Sequence, residues 1–397
     1  MKLGVFINQA FYSYDGQIST DLSFVRFIES FKESFLEIKV FAPTKNITLT
    51  EKQGLYSCIG DVSLCPLPYY QNVKDLIKNT HIVLPITIKK LMHEFKTIDR
   101  LWIVGPHPLG VFAGYFTKKY KVKCFQHIRG NILNDVEARY NNSLIGKIYA
   151  QYMHWSNFYL SKKMPTLTVG SELFNLYKNK AKKISWISPS LISDEDIKIT
   201  KQTLNKSFPK NNRSIQILFV GRVEPEKGLT YLFKALRDLN KNSDHKYELT
   251  IVGSAQRGSE HREIEIKNMA NEIGIKELIQ WKGYKPYGDE LKKIYRNKDI
   301  FILPSLAEGI PKVIYEAMAF GIPIISTDVG GISDIIKNNE NGILIKPRSI
   351  DAIVSTIKLI SENIELRNKL IENALSDAMA YTIETAKERI LAAMDLN

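Results

Sequence analysis

The stretch PSLAEGIPKVIYEAMAFGIPIISTDVGG (304–331) reads as the end of one strand, a loop, a helix and a second strand. DIFILPS (299–305) and IPIIST (322–327) are short isoleucine-rich runs, and Gly309 with Pro311 marks a helix start between them. Glu308 then falls in the loop and Glu316 inside the helix. Free backbone N–H groups around Ile310 to Val313, a stretch that includes Pro311 and Lys312, join the positive end of the helix dipole in a phosphate seat. Gly309 lets the backbone approach a ligand closely. A carboxylate just before that seat can accept hydrogen bonds from sugar hydroxyls, and one about a turn and a half into the helix can reach a ribose diol. Neither contact needs a metal. An E-x7-E spacing is common by itself; its place between two strands, with Asp328, Gly330 and Gly331 closing the second, makes it specific.

Outward from this unit, IQILFV (215–220) and ELTIVG (248–253) are further strands, and Leu229, Leu232, Phe233 and Leu236 recur at helical period between them. Strands joined by crossover helices imply a parallel, doubly wound sheet whose ligands sit beyond the strands' carboxyl ends. In FVGRVEPEKGL (219–229) a strand ends at Gly221, and a short loop presents Arg222 and Lys227 at that edge. Two cations there can neutralise a diphosphate and stabilise it as it leaves; the structural alternative is a surface charge pair with Glu224 and Glu226.

The first half repeats the layout less cleanly. KLGVFI (2–7), EIKVFAP (37–43), RLWIVGP (100–106), VKCFQHI (122–128) and TLTVGS (166–171) are candidate strands, and Ser19 or Thr20 is placed to cap a first helix over Leu22 to Ile28. The polar stretch 188–214, with Pro189 and Pro209, reads as a linker. A chain of 397 residues is long enough for two cores.

The formal charge of +13 is uneven: residues 1–200 hold 26 Lys and Arg against 16 Asp and Glu, and residues 201–397 hold 29 against 26. The basic first half suits an anionic membrane surface or a polyanionic acceptor, or it solvates helix faces. No recognisable nucleic-acid motif accompanies it. Cys58, Cys65 and Cys124 form neither a paired framework nor a zinc motif, which fits a reducing compartment. MKLGVFI is too short an apolar run for a signal peptide, and Leu101 to Phe116 is too short and too interrupted for a membrane span. A cytoplasmic protein, peripheral at the inner face of the membrane, is the expectation.

The two signature stretches resemble those of family 4 retaining glycosyltransferases, across nearly all of residues 215–375; over 1–200 the likeness rests on layout. The resemblance implies a GT-B fold, two facing Rossmann-like domains with a cleft between them: 1–187 for the acceptor, 188–214 as linker, 215–375 for the nucleotide-sugar donor, and 376–397 as a helix returning to the first domain. It also implies that Glu308 holds the donor sugar, Glu316 the ribose, and Arg222 and Lys227 the diphosphate. Tyr284 and Lys285 in WKGYKP (281–286) border the base, with Gly253 and Ser254 near the same edge, and Gly221 is counted with the donor-binding residues. His127, at the end of a strand, and less firmly Arg129 stand near the reacting carbon; His107 lies on another cleft loop, and Gly16 in a loop touching the donor phosphates. That loop offers Asp15-Gly16-Gln17 where adjacent glycines are usual, and SPSLISDED (188–196) replaces the usual segment after the linker strand.

The expected activity is metal-independent transfer, with retained configuration, from a nucleotide-diphosphate sugar, UDP-linked before GDP-linked, to a glycan or lipid-linked glycan. No cofactor is implied. A nucleotide-sugar epimerase and a non-catalytic nucleotide-sugar-binding scaffold are the alternatives. The aromatic and lysine-rich segments 117–123, 145–164 and 177–183 favour a lipid-linked acceptor.

Overall fold

A computed structural model describes every residue except 16, 21–23, 49–55, 58–61, 131, 133–143, 188–189, 205–213, 242, 244, 256–258 and 396–397. The chain divides into two units, Met1–Pro189 with Ala386–Asn397, and Ser190–Thr385.

The first unit is built on strands β1 (Lys2–Ile7), β2 (Phe11–Tyr14), β3 (Gln17–Thr20), β4 (Glu37–Asn46), β5 (Tyr56–Ser57), β6 (Val62–Leu67), β7 (Arg100–Gly105), β8 (Lys123–Ile128), β9 (Thr166–Val169) and β10 (Ile184–Ile187). They join in the order β10-β9-β8-β7-β1-β4-β2-β3-β5, with β6 also on β4. β1 pairs in parallel with β4 on one side and β7 on the other, so the sheet's winding reverses there. Helices α1 (Phe24–Glu29), α2 (Val73–Lys78), α3 (Thr80–Glu94), α4 (Gly110–Lys119), α5 (Leu144–Ser161) and α6 (Gly170–Tyr177) cover it. The expected strands are all present. Ser19 and Thr20, expected to cap the first helix, instead belong to β3: they pair with Tyr12 and Phe11, and the Thr20 hydroxyl donates to the Ala10 carbonyl at 3.2 Å.

The second unit begins inside the stretch read as linker. Its helix α7 (Asp194–Thr203) starts with a capping box between Ser193 and Asp196 and buries Ile197 and Thr200. One polar residue of that stretch is internal: Asp196 is buried, 2.8 Å from Lys292 Nζ, and accepts from the Tyr287 hydroxyl at 3.0 Å. These partners hold its carboxyl below the usual carboxylate range against the opposing effect of burial.

Six parallel strands, β11 (Ile215–Val220), β12 (Tyr247–Val252), β13 (Ile279–Trp281), β14 (Ile300–Leu303), β15 (Ile324–Thr327) and β16 (Ile343–Ile345), run in the order β13-β12-β11-β14-β15-β16. Connecting and flanking helices are α8 (Leu229–Lys241), α9 (Glu260–Glu272), α10 (Asp289–Arg296), α11 (Lys312–Ala319), α12 (Ile350–Glu362) and α13 (Ile364–Ala378), while α14 (Ile383–Asp395) leads into the first unit. α8 buries Leu229, Leu232, Phe233, Leu236 and Leu239, the stripe legible in its sequence. By contrast, α9 buries only Ala270 and leaves Ile264 exposed. The chain leaves β11 toward β12 and β13, then returns to β14 on β11's other side, so the loops after β11 and β14 diverge at the sheet's switch point.

Candidate functional site

Lys227 and Glu308 stand on those two loops. A 3₁₀ turn, Pro225–Lys227, follows β11, and Gly228 ends it with φ +69°. A Cβ on Gly228 would lie 2.0 Å from the Pro304 carbonyl oxygen, so glycine lets the loop after β11 press on the loop after β14. The Leu306 N–H donates to the Glu226 carbonyl at 2.7 Å and ties the loops together.

Across this seam Lys227 Nζ donates to Glu308 Oε1 at 2.6 Å, and the Ser305 hydroxyl donates to the same oxygen at 2.6 Å. Both side chains are largely enclosed, 11% and 8% exposed. An enclosed ion pair contributes little net stability, because desolvation offsets most of the attraction. Its presence at a switch point is better explained by a ligand that needs a fixed cation and a fixed acceptor. Among the described residues Glu308 Oε2 carries neither of these bonds.

Two more close approaches shape the edge. Gly330, φ +59°, sits where a Cβ would fall 1.9 Å from the Glu308 carbonyl oxygen, and the Gly331 N–H donates to the Gly309 carbonyl at 3.0 Å. Gly253, φ +141°, is flush with Gly221, whose carbonyl oxygen would be 1.8 Å from an added Cβ; its N–H donates to the Gly283 carbonyl at 2.8 Å. Gly309 itself has open space around its Cβ direction. Helix α11 begins at Lys312 with Pro311 as its N-cap, so Lys312 and Val313 open it and Ile310 stands just before the cap.

Arg222 is not part of the Lys227–Glu308 pair. It is exposed, with Nη2 3.5 Å from Glu226 Oε1. Glu316, on α11, accepts from the Tyr295 hydroxyl at 2.8 Å. Burial raises its pKa, opposed by that bond and by the charge of Lys312. Tyr284 is exposed, and Lys285 Nζ is 2.7 Å from Glu290 Oε1. Sequence reasoning missed Ser305 and Tyr295. Ser305 lies inside the opening motif but has no feature that distinguishes it from a loop serine, and Tyr295 reads as a core residue of α10.

In the first unit Gly16 lies outside the described residues. His127, expected near a reacting carbon, is fully buried: its ring lies 5.8 Å from Trp102, stacked, and 6.1 Å from Phe24. Residues 125–128 of β8 are all buried, so both faces of this strand end are covered and a position at the end of a strand does not make the imidazole accessible. The Arg129 guanidinium lies 3.7 Å from the Phe24 ring centroid, and burial lowers its pKa to about 10.

His107 stacks on Phe6 at 3.8 Å, and its Nδ1 accepts from the Leu109 N–H at 3.1 Å, which places the proton of the neutral ring on Nε2. Burial lowers its pKa to about 3, partly opposed by the Ile7 backbone. Because the folded value lies below the unfolded one near 6.5, the unfolded chain binds the proton first as pH falls. The contribution is therefore full above about 6.5 and is lost toward pH 3 at about 1.4 kcal/mol per unit. His107→Gln should flatten the pH dependence of first-unit unfolding between pH 6 and 4. An unchanged slope in denaturant titrations would show that this imidazole is not held neutral.

Two units, one a parallel sheet with an antiparallel edge and the other an all-parallel sheet, both covered by helices, give the chain a GT-B fold. The fold is similar over 100% of both chains to Anabaena Alr3699/HepE in complex with UDP, TM-score 0.71 at 14% identity, and to WaaG, a glycosyltransferase involved in lipopolysaccharide biosynthesis, TM-score 0.66 at 14% identity. Residues 200–377 match the family described as Glycosyl transferases group 1. The chain is 30% identical over 209 residues to an uncharacterized glycosyltransferase of Methanocaldococcus jannaschii, covering 52% of this chain and 51% of the relative. It is 28% identical over 206 residues, 52% of each, to a Campylobacter jejuni α-1,4-N-acetyl-D-galactosaminyltransferase whose name specifies a diNAcBac-PP-undecaprenol-linked glycan. The chain thus spans about half the length of these curated relatives.

Proposed function

We propose that the protein is a family 4 retaining glycosyltransferase that moves a sugar from a nucleotide-diphosphate donor to a glycan carried on a lipid. The observation that carries this reading is the enclosed Lys227–Glu308 pair at the switch point of the second sheet, beside the start of α11. Lys227 and the α11 N–H groups meet the donor phosphates, with Arg222 swinging in from the surface, and no metal ion is needed for that charge. Glu308 Oε2 accepts from the donor sugar. Glu316, oriented by Tyr295, accepts from the ribose. The acceptor hydroxyl attacks on the face from which the diphosphate departs, the departing oxygen takes its proton, and no enzymic nucleophile is required. Burial of His127 gives it a packing part in this scheme.

UDP is favoured as the base-bearing half because a similarly folded protein is known with UDP bound, and the lipid-linked acceptor follows the Campylobacter jejuni relative. No helix among the described residues is long and apolar enough to cross a membrane. Access to such an acceptor then calls for peripheral contact with the inner face of the cell membrane, to which the basic first half is suited.

The test is incubation with radiolabelled UDP-, GDP- and ADP-sugars and a polyprenyl-diphosphate glycan, followed by NMR of the product. Transfer from a UDP-sugar with retained anomeric configuration is expected. Epimerised donor without transfer, or saturable binding without turnover, would replace this reading with an epimerase or a scaffold.

A further inference from the structure

The first unit contains a cavity of about 420 Å³ that the donor chemistry leaves unused. Leu76 and Ile77 of α2, Leu84 of α3, Phe112 of α4, and Ile148 and Tyr152 of α5 are among its lining residues. The Tyr152 hydroxyl is turned to the Pro108 carbonyl at 2.7 Å, so this polar group is already satisfied. Such a volume is in the range that holds a small ligand, and the lining offers that ligand almost only hydrocarbon.

Helices α4 and α5 change character along their length. On α5, Ile148, Tyr152, Trp155 and Tyr159 follow one another at helical spacing, with Trp155 and Tyr159 stacked at 5.6 Å; Ile148 is 62% exposed. On α4, Phe112 and Tyr115 lie one turn apart, and Tyr115 is 70% exposed. Beyond the aromatic zone Lys118, Lys123 and Lys163 border a second hollow of about 300 Å³, with Tyr115 and Tyr159 at its edge. Neither α4 nor α5 contains an acidic residue. From Gly110 to Lys119 the distance along α4 is roughly 14 Å. One face thus runs from hydrocarbon through aromatic rings to cations, the order of groups in a lipid phosphate read from tail to head.

We propose that the cavity between α2, α3, α4 and α5 binds the hydrocarbon tail of an anionic lipid, and that Lys118, Lys123 and Lys163 hold its phosphate. The proposal goes beyond the transfer itself: Lys123 opens β8, Lys118 stands at the end of α4 and Lys163 just before β9, all at the amino-terminal edge of the first sheet and away from its carboxyl edge, so a lipid held here anchors the unit and is not the acceptor. A tail lodged in a cavity keeps one lipid on the protein, whereas a membrane-docking face would hold a bilayer and no single molecule.

Titration calorimetry with decyl phosphate, kept monomeric, separates these cases without any sugar transfer. Saturable one-to-one binding is expected. Octyl phosphate should bind about 15-fold more weakly, the ratio given by two methylenes at about 0.8 kcal/mol each. Leu84→Trp, which fills the cavity, should weaken decyl phosphate at least tenfold; Ile148→Arg, at an exposed position that tolerates the charge, should do the same if the first variant folds poorly. Lys118→Glu with Lys163→Glu should weaken decyl phosphate about tenfold and leave decanol unchanged. Indifference to chain length, or equal binding of inorganic phosphate, would overturn the tail site. Binding only to anionic vesicles would assign the face to a bilayer, and a dimer abolished by Ile148→Arg without any change in decyl phosphate binding would assign it to a second copy. Calorimetric binding without sugar transfer would leave the pocket standing and remove the transferase reading.

Discussion

Replacing Lys227 with alanine is expected to lower sugar transfer about a thousandfold. The ammonium is enclosed beside Glu308 and Ser305, and in the proposed reaction its charge would act on a departing diphosphate through little intervening water, where electrostatic stabilisation is strongest. Removing one preorganised donor of this kind lowers turnover by about two to three orders of magnitude, and Lys227 brings a full charge. The loss has a second part. Without Lys227, Glu308 remains enclosed with Ser305 as its bonded partner, and a carboxylate left this way destabilises the unit by about 3 kcal/mol or reorients toward water. A double-mutant cycle with Glu308→Gln separates the two effects. If Lys227 acts only by holding Glu308, the double variant should transfer no more slowly than Glu308→Gln alone; if it meets the phosphates, the double variant should fall well below it. Single-turnover transfer below the melting temperature is the measurement, and a Lys227→Ala rate within tenfold of the parent would overturn the assignment.

Much of the second unit was legible because its signals are local and agree with one another. β11, β12, β14 and β15 are isoleucine- and valine-rich runs of strand length, α8 shows its apolar stripe, and Gly309 with Pro311 announces α11. Lys227 and Glu308, 81 residues apart, could each be placed at a strand's carboxyl edge, but their direct bond depends on β11 and β14 being neighbours. Other features depend on partners that no local pattern names. Asp196 looks like surface charge until Lys292 and Tyr287 close on it. Ser19 and Thr20 look like helix caps until Tyr12 and Phe11 claim them for a hairpin. His127 sits at the predicted strand end, yet that end is covered on both faces and the ring packs among Trp102 and Phe24. In each case the deciding contact is tertiary, and it overrides a sound local preference.

Gly228→Ala is expected to destabilise the second unit by about 3 kcal/mol or more and to reduce transfer with it. Two effects act at this position. A residue other than glycine held at φ +69° is strained by about 1 kcal/mol wherever it occurs. Its Cβ must also avoid the Pro304 carbonyl oxygen at 2.0 Å, a distance that only movement of backbone can relieve. Gly274 isolates the first effect, since its φ is +74° and nothing lies within 4 Å of its Cβ direction. Gly274→Ala should therefore lose about 1 kcal/mol and keep full activity. Relief of the clash at Gly228 displaces Pro304, one residue before Ser305 and four before Glu308, so the bonds at Glu308 Oε1 lengthen as the loops part. Thermal unfolding and transfer assays on the two variants decide the matter. Equal losses of stability would mean that the loops after β11 and β14 are not pressed together, and that the Lys227–Glu308 pair is not held by this glycine.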